Sequence, residues 1–273
     1  MTSSDVVAKI RRILGTKAIG HFGTLDPMGE GVLLMGVGKA TRLFDFMLKK
    51  DKVYEATFIF GINTDTLDTD GKITKRSDRI PTINEIRNVL PRFIGKQFQV
   101  PPAYSAKSVN GKRAYDLARE GKEVCLSPCE IEFYGIDVEP TERDDCIKVR
   151  LHCSSGTYVR SFGRDLASSL DTYAAMSSIR RLRCGTFDVE HALTIDTVER
   201  LGKDAILPIE AAIGDLPKIV LPDNCYKYLL NGIKLVGSDI THERFSLHCK
   251  GELFGIAKIN DDNKIEIVSY LKN

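Results

Sequence analysis

Gly20-His21-Phe22-Gly23-Thr24-Leu25-Asp26-Pro27-Met28-Gly29-Glu30-Gly31-Val32-Leu33 sets one carboxylate among glycines and directly before a proline. Pro27 fixes its own φ and biases Asp26 toward extended backbone. Gly23 permits another backbone or a ligand to come close. A stretch so often broken by glycine does not continue as a helix, so Asp26 is predicted to sit on an irregular loop. Spacing alone leaves two readings open. One is a loop that presents a carboxylate for chemistry; the other is a structural turn whose Asp caps a helix.

Outward from this loop the chain alternates between helical and extended patterns. Ahead of it, Val6, Val7, Ile10, Ile13 and Leu14 fall on one face of a helix that Ser3 or Ser4 can cap and Gly15 can end. Behind it, 39–50 returns to helical spacing, and 52–60 reads as a strand with Tyr54, Ala56, Phe58 and Phe60 on one face. Residues 61–81, rich in Thr, Asp and Gly, read as a loop with turns. Thr82 and Glu85 form a capping box for a helix carrying Ile83, Ile86, Val89 and Leu90. Pro101-Pro102 opens a loop into a helical piece near 114–118 that Gly121 can stop. Residues 146–153 alternate as a strand, 158–170 reads as a helix and 179–189 as a strand. A boundary is predicted near 214–217. Beyond it come a short helix around 225–230 and strands at 245–249, 253–259 and 265–270, the last two joined by the turn composition Asn260-Asp261-Asp262-Asn263. The pattern predicts an α+β fold: a large mixed-sheet domain over 1–213 and a small β-rich domain over 214–273.

Composition narrows the function classes. Hydrophobic residues make up 42% and charged residues 28% of 273, as in ordinary globular proteins. No apolar run approaches the roughly 20 residues of a membrane span, and the N-terminus has no secretory pattern. Seven cysteines, an odd number in a chain this long, argue against a disulfide framework and for a reducing cytosol. Neither they nor the five histidines fall at metal-ligand spacing, so no metal site is predicted. The net charge of +2 is uninformative, but residues 1–50 hold eight Lys/Arg against four Asp/Glu. Lys107, Lys112, Arg113, Arg119 and Lys122 cluster, as do Arg180, Arg181 and Arg183. Such clusters suit a polyanion; taken alone they read first as solvated faces.

The loop also resembles a known motif. Gly20-His21-x-Gly23-Thr24-Leu25-Asp26-Pro27 is similar to the catalytic motif of the TruB family, the transfer RNA pseudouridine-55 synthases. The resemblance continues in order along most of the chain. Lys52-Val53-Tyr54 is similar to the family's Lys-x-Tyr strand. Gln99-Val100-Pro101-Pro102-Ala103-Tyr104-Ser105-Ala106 with Asn110-Gly111-Lys112-Arg113-Ala114-Tyr115 resembles its long loop. Ser155-Gly156-Thr157-Tyr158-Val159-Arg160-Ser161 resembles its Gly-Thr-Tyr-Ile-Arg segment, and Ile179-Arg180-Arg181 its Leu-Arg-Arg strand. Gly251-Glu252-Leu253-Phe254-Gly255-Ile256 resembles part of a PUA domain. The chain departs from the pattern in three places. It starts at Met1-Thr2-Ser3, where members usually carry a preceding Lys-Pro-x-Gly. It has Phe22 where Thr is frequent, and Ser108 where Lys is frequent.

The resemblance implies a synthase that acts on a uridine of the T-arm stem-loop of transfer RNA. It implies no cofactor, no membrane and no obligate protein partner. Asp26 would be the catalytic carboxylate and Arg160 its ion-pair partner. Tyr54 would stack on the extruded uracil and serve in proton transfer. Ile179 would wall the base, and His21 would fill the place it leaves in the stack. Gly23, Thr24, Tyr158, Lys112 and Arg113 would complete the substrate contacts. Without the resemblance, Tyr54 and Ile179 read as core residues, His21 as structural and Arg160 as a surface residue in a first helical turn.

Overall fold

The computed structural model describes residues 1–105, 107–109, 111–121, 125–237 and 239–272, the side chains of 108, 109, 112, 113, 116, 118 and 119 excepted. Among these, α1 (Ser3–Leu14), β1 (Ile19–His21), β2 (Glu30–Gly31), β3 (Met35–Val37) and α2 (Phe44–Leu48) come first. Next are β4 (Lys52–Phe60), β5 (Ile62–Thr64), β6 (Ile73–Arg76), α3 (Ile83–Val89), β7 (Gly95–Gln99), β8 (Ser108–Val109), β9 (Lys112–Arg113) and α4 (Ala114–Arg119). Then follow β10 (Cys129–Pro140), β11 (Cys146–Cys153), α5 (Val159–Ser168), β12 (Ala174–Cys184), β13 (Phe187–Asp188) and α6 (Ile195–Leu201). The last are β14 (Lys218–Leu221), α7 (Tyr226–Leu230), β15 (Phe245–Cys249), β16 (Glu252–Ile259) and β17 (Ile265–Tyr270). The class is α+β, as the patterning predicts. No helix among the described residues is long and apolar enough to cross a membrane.

The chain forms two compact units. One comprises residues 1–2, 25–33 and 49–192; the other comprises 3–24, 34–48 and 193–273. The first is built on a sheet in the order β13-β12-β4-β11-β10-β7, with β2 beside β12. The pairings are antiparallel except that β2 runs parallel to β12, which makes the sheet mixed. Period-two alternation puts Ala56, Phe58 and Phe60 of β4 in the core with Tyr54 packed against them. Their neighbours on β11, Val149 beside Ala56 and Leu151 beside Tyr54, are fully buried. Helices α3 and α5 close this face with Ile86, Val89, Phe162 and Leu166. The capping box of Thr82 and Glu85 starts α3 as predicted. Each large apolar side chain buried here contributes roughly 1.5–3 kcal/mol.

Phe162 is the centre of this core, with rings of Phe133, Phe93 and Phe58 at 5.3, 5.6 and 6.0 Å between centroids. The next residue, Gly163, lets α5 lie close on β4: a Cβ there would meet Phe58 Cε1 at 2.2 Å. Gly163→Ala is therefore expected to destabilise the protein, although alanine is the better helix former by about 1 kcal/mol. The buried Phe58 ring has no room to move, and overpacking costs about 1–3 kcal/mol. A thermal melt of Gly163→Ala at or above the wild-type midpoint would contradict this account.

Two predictions about this unit need correction. Residues 61–81 are not only a loop: β5 and β6 pair as a hairpin, Ile62 opposite Arg76. All four residues of β6 are exposed, so no hydrophobic alternation marks it. The strand predicted over 179–189 starts at Ala174, and its first residues are buried without alternation.

In the second unit the stripe of α1 buries Val7, Ile10 and Leu14 with Ile19 of β1, against Val198 of α6 and Val37 of β3. The helical spacing of 39–50 resolves into a 3-10 turn, Gly38–Leu43, followed by α2. The C-terminal sheet has the order β14-β15-β16-β17. Its core is Phe245, Leu247, Phe254, Ala257 and Ile265 with Leu229 of α7. The strands β15 to β17 lie where predicted. The parallel strand β14 was not predicted, being only four residues long. Arg42 Nη1 donates to Tyr270 O at 2.8 Å and Ser269 Oγ to Arg42 O at 3.2 Å, which ties the 38–43 turn to β17.

Candidate active site

Asp26 sits in a tight turn in the first unit: the Gly29 N–H donates to Asp26 O at 2.8 Å. No helix starts at Asp26, the next element being β2 at Glu30–Gly31, so the helix-cap reading falls away. The loop is fastened behind the turn by β2. Val32 N–H donates to Arg181 O at 2.9 Å, and Arg181 Nε returns a bond to Val32 O at 2.7 Å. Gly31 makes this close pairing possible. Its φ is +95°, and a Cβ would stand 2.2 Å from Arg181 O. Met28 packs against the same core cluster as Tyr54.

Arg160, in the first turn of α5, holds the carboxylate from two sides. Its Nε donates to Asp26 Oδ2 at 3.1 Å and its Nη2 to Asp26 Oδ1 at 2.8 Å. This two-point geometry fixes the plane of the carboxylate as well as its place. The guanidinium is fixed in turn. Nη1 donates to Thr66 O at 2.9 Å and Nη2 to Tyr104 O at 3.0 Å. Asp68 Oδ2 lies 3.5 Å from Nη1. A cation in the first turn of a helix opposes the helix dipole; two carboxylates and two carbonyls offset that here. The Arg160 and Asp68 side chains are each 8% exposed, whereas Asp26 is 27% exposed. Of the three charged side chains, Asp26 is the most exposed.

Tyr54 and Ile179 flank the same strand boundary. Tyr54 on β4 is paired with Arg181 on β12, and Ala56 with Ile179. Ile179 is buried in the core cluster. Burial pushes the Tyr54 phenol up to about 12, against the pull of the Arg181 guanidinium that hydrogen-bonds it. The phenol stays protonated at neutral pH. Tyr158 is the N-cap of α5, with its N–H donated to Gln99 Oε1 at 2.8 Å. Burial raises its phenol as well.

The structure thus brings Asp26, Arg160, Tyr54, Tyr158 and Ile179 into one unit and joins the first two directly. His21, Gly23 and Thr24 belong to the second unit. His21 ends β1 opposite Met35, and Gly23 has φ +132°. Lys112 and Arg113 form β9, paired with β8, and their side chains lie outside those described. Sequence reading missed Asp68 and Thr66, and it quoted Gln99 and Arg181 in motifs without the contact of the one or the burial of the other. Asp68 was hidden in a stretch dense in Thr and Asp. The alternation along β12, Arg180 exposed and Arg181 buried, was the available signal for Arg181. Among the described residues no group of three or more His, Cys, Asp or Glu side chains is arranged to hold a metal ion.

Comparison with known proteins gives consistent results. Residues 11–159 match the TruB family pseudouridylate synthase (N terminal domain). The chain is 40% identical over 237 residues to tRNA pseudouridine synthase B of Clostridium novyi (strain NT), covering 86% of this chain and 81% of that protein. It is 38% identical over 241 residues to tRNA pseudouridine synthase B of Caulobacter sp. (strain K31), covering 86% and 78%. Among solved structures, a Cbf5-Nop10-Gar1 complex matches with TM-score 0.73 and 25% identity over 98% of this chain and 80% of that one. An H/ACA RNP bound to a substrate RNA containing 2'-deoxyuridine matches with TM-score 0.71 at 22% identity, covering 99% and 81%; at that identity it speaks for the fold alone.

Proposed function

The chain belongs to the TruB family of pseudouridylate synthases, and from that premise we propose that it isomerises uridine to pseudouridine in the T-arm of transfer RNA, at position 55. The observation that carries this reading is a part-exposed carboxylate, Asp26, held at two points by a buried arginine.

The reaction breaks the bond from C1′ to N1, turns the base, and joins C1′ to C5. C5 gives up a proton and N1 gains one. Atoms and electrons balance within the substrate, so neither metal nor redox cofactor is required. The reacting nucleotide is first flipped out of the stack at a cost of a few kcal/mol, and His21 fills its place. Asp26 then supplies the negative charge that attacks the nucleotide and stabilises its opened form. The Tyr54 ring stacks on the uracil while its protonated hydroxyl takes part in proton transfer. Ile179 walls the base. Tyr158, Gly23 and Thr24 add substrate contacts, and Lys112 and Arg113 contact phosphate. Residues 1–213 serve as the catalytic part and 214–273 as a PUA-like RNA-binding part. The enzyme works in the cytoplasm without an obligate protein partner.

A T-arm minihelix transcript is the direct test. With protein dialysed against chelator and nothing else added, the expected product is pseudouridine at the single T-loop position. Product at another uridine would move the assignment. No product without an added protein or guide RNA would contradict stand-alone action, and dependence on a dialysable factor would contradict the mechanism.

A further inference from the structure

Helix α5 carries Arg160 but begins without a cap of its own. Its N-cap residue, Tyr158, makes no side-chain capping hydrogen bond, and the usual short polar cap is missing. The Tyr158 N–H is taken by a residue 59 positions earlier, the side-chain carbonyl of Gln99. Gln99 is 2% exposed and closes β7, in register with Cys129 of β10. The sheet therefore fixes its backbone while its amide reaches the helix start.

The residues after Gln99 continue the contact. Val100 O accepts from Ser161 Oγ at 2.9 Å and from Arg164 Nη2 at 3.0 Å. Tyr104 O accepts from Arg160 Nη2 at 3.0 Å. Segment 99–104 is thus fastened to the first turns of α5 at four points. Three of them are backbone carbonyl contacts, and the Gln99 amide is the side-chain acceptor in the set. The Arg160 grip on Asp26 needs two parallel hydrogen bonds at once, and such sites tolerate about 0.5 Å of displacement.

We infer that Gln99 is a positioning residue for the isomerisation: its buried amide carbonyl sets the start of α5, and through it the two-point hold of Arg160 on Asp26. The inference rests on the proposed function. Wild-type turnover on the T-arm minihelix tests that function, and the ratio of variant to wild type tests Gln99.

The experiment measures single-turnover rate and RNA affinity on that minihelix. Gln99→Met keeps the shape and removes the acceptor. Its rate at saturating RNA should fall roughly 10–100-fold, the scale of a small misplacement at the reacting groups. RNA affinity should stay within about twofold, because Gln99 is 2% exposed and offers no surface for RNA to touch. Gln99→Glu restores an acceptor beside the helix N-terminus and should recover most of the rate. Gln99→Met combined with Arg160→Lys should be no slower than Arg160→Lys alone, since both act through one grip. Wild-type rate in Gln99→Met, a loss confined to affinity, a Glu variant as slow as the Met variant, or fully additive losses would each overturn the inference. Should Gln99→Met fail to fold, Gln99→Asn withdraws the acceptor by one methylene; an unchanged rate there overturns it equally.

Discussion

Asp26→Asn is expected to lower the single-turnover rate on unmodified transfer RNA by on the order of 10⁴-fold or more, the scale seen when a nucleophile is removed. The amide keeps the shape of the carboxylate and one acceptor for Arg160 Nη2, so the turn closed by Gly29 has no reason to open. Arg160 keeps Asp68 and the carbonyls of Thr66 and Tyr104, so its charge is not stranded. What disappears is the negative charge at the exposed end of the network. RNA affinity should hold or rise slightly, because a like charge facing the phosphates is removed. The decisive comparison is binding by filter retention beside chemistry at saturating RNA. Turnover within tenfold of wild type would show that Asp26 is not the catalytic carboxylate. A loss of affinity as large as the loss of rate would show that it acts in binding.

The legibility of this site in the sequence follows from how local each feature is. The Asp26 loop could be placed because Pro27 and its glycines act on adjacent residues. The core face of β4 could be read because alternation is a period of two, and α3 because its capping box spans four residues. The partners of Arg160 could not be read that way. Thr66, Tyr104 and Asp26 lie 94, 56 and 134 residues from it, and no periodicity links residues so far apart. Pairing Asp26 with Arg160 came from family resemblance, which carries long-range contacts that spacing does not. Asp68 was not among the motifs read and went unnoticed. Arg181 was quoted in a motif, yet its burial beside Tyr54 depends on which face of β12 meets β4, a matter of register.

Arg160→Met is expected to abolish turnover and also to cost about 3–5 kcal/mol of stability, as breaking a buried ion pair from one side does. The stability loss comes from what stays behind. Asp68 is 8% exposed and would be left without the guanidinium beside it, and the Thr66 and Tyr104 carbonyls would each lose a donor. The catalytic loss comes from Asp26, whose plane nothing else described here fixes at two points. The two losses are separable. In Arg160→Met/Asp68→Asn the stranded charge is gone, so part of the lost stability should return. The rate should not, because Asp26 remains unoriented. Denaturant midpoints for the single and double variants, set beside their single-turnover rates, test this. Recovery of rate together with stability would mean that Arg160 serves the fold and leaves Asp26 to orient itself. A single variant as stable as wild type would mean that Asp68 is neutralised by another group, and that the network built around Arg160 is not what holds this loop in place.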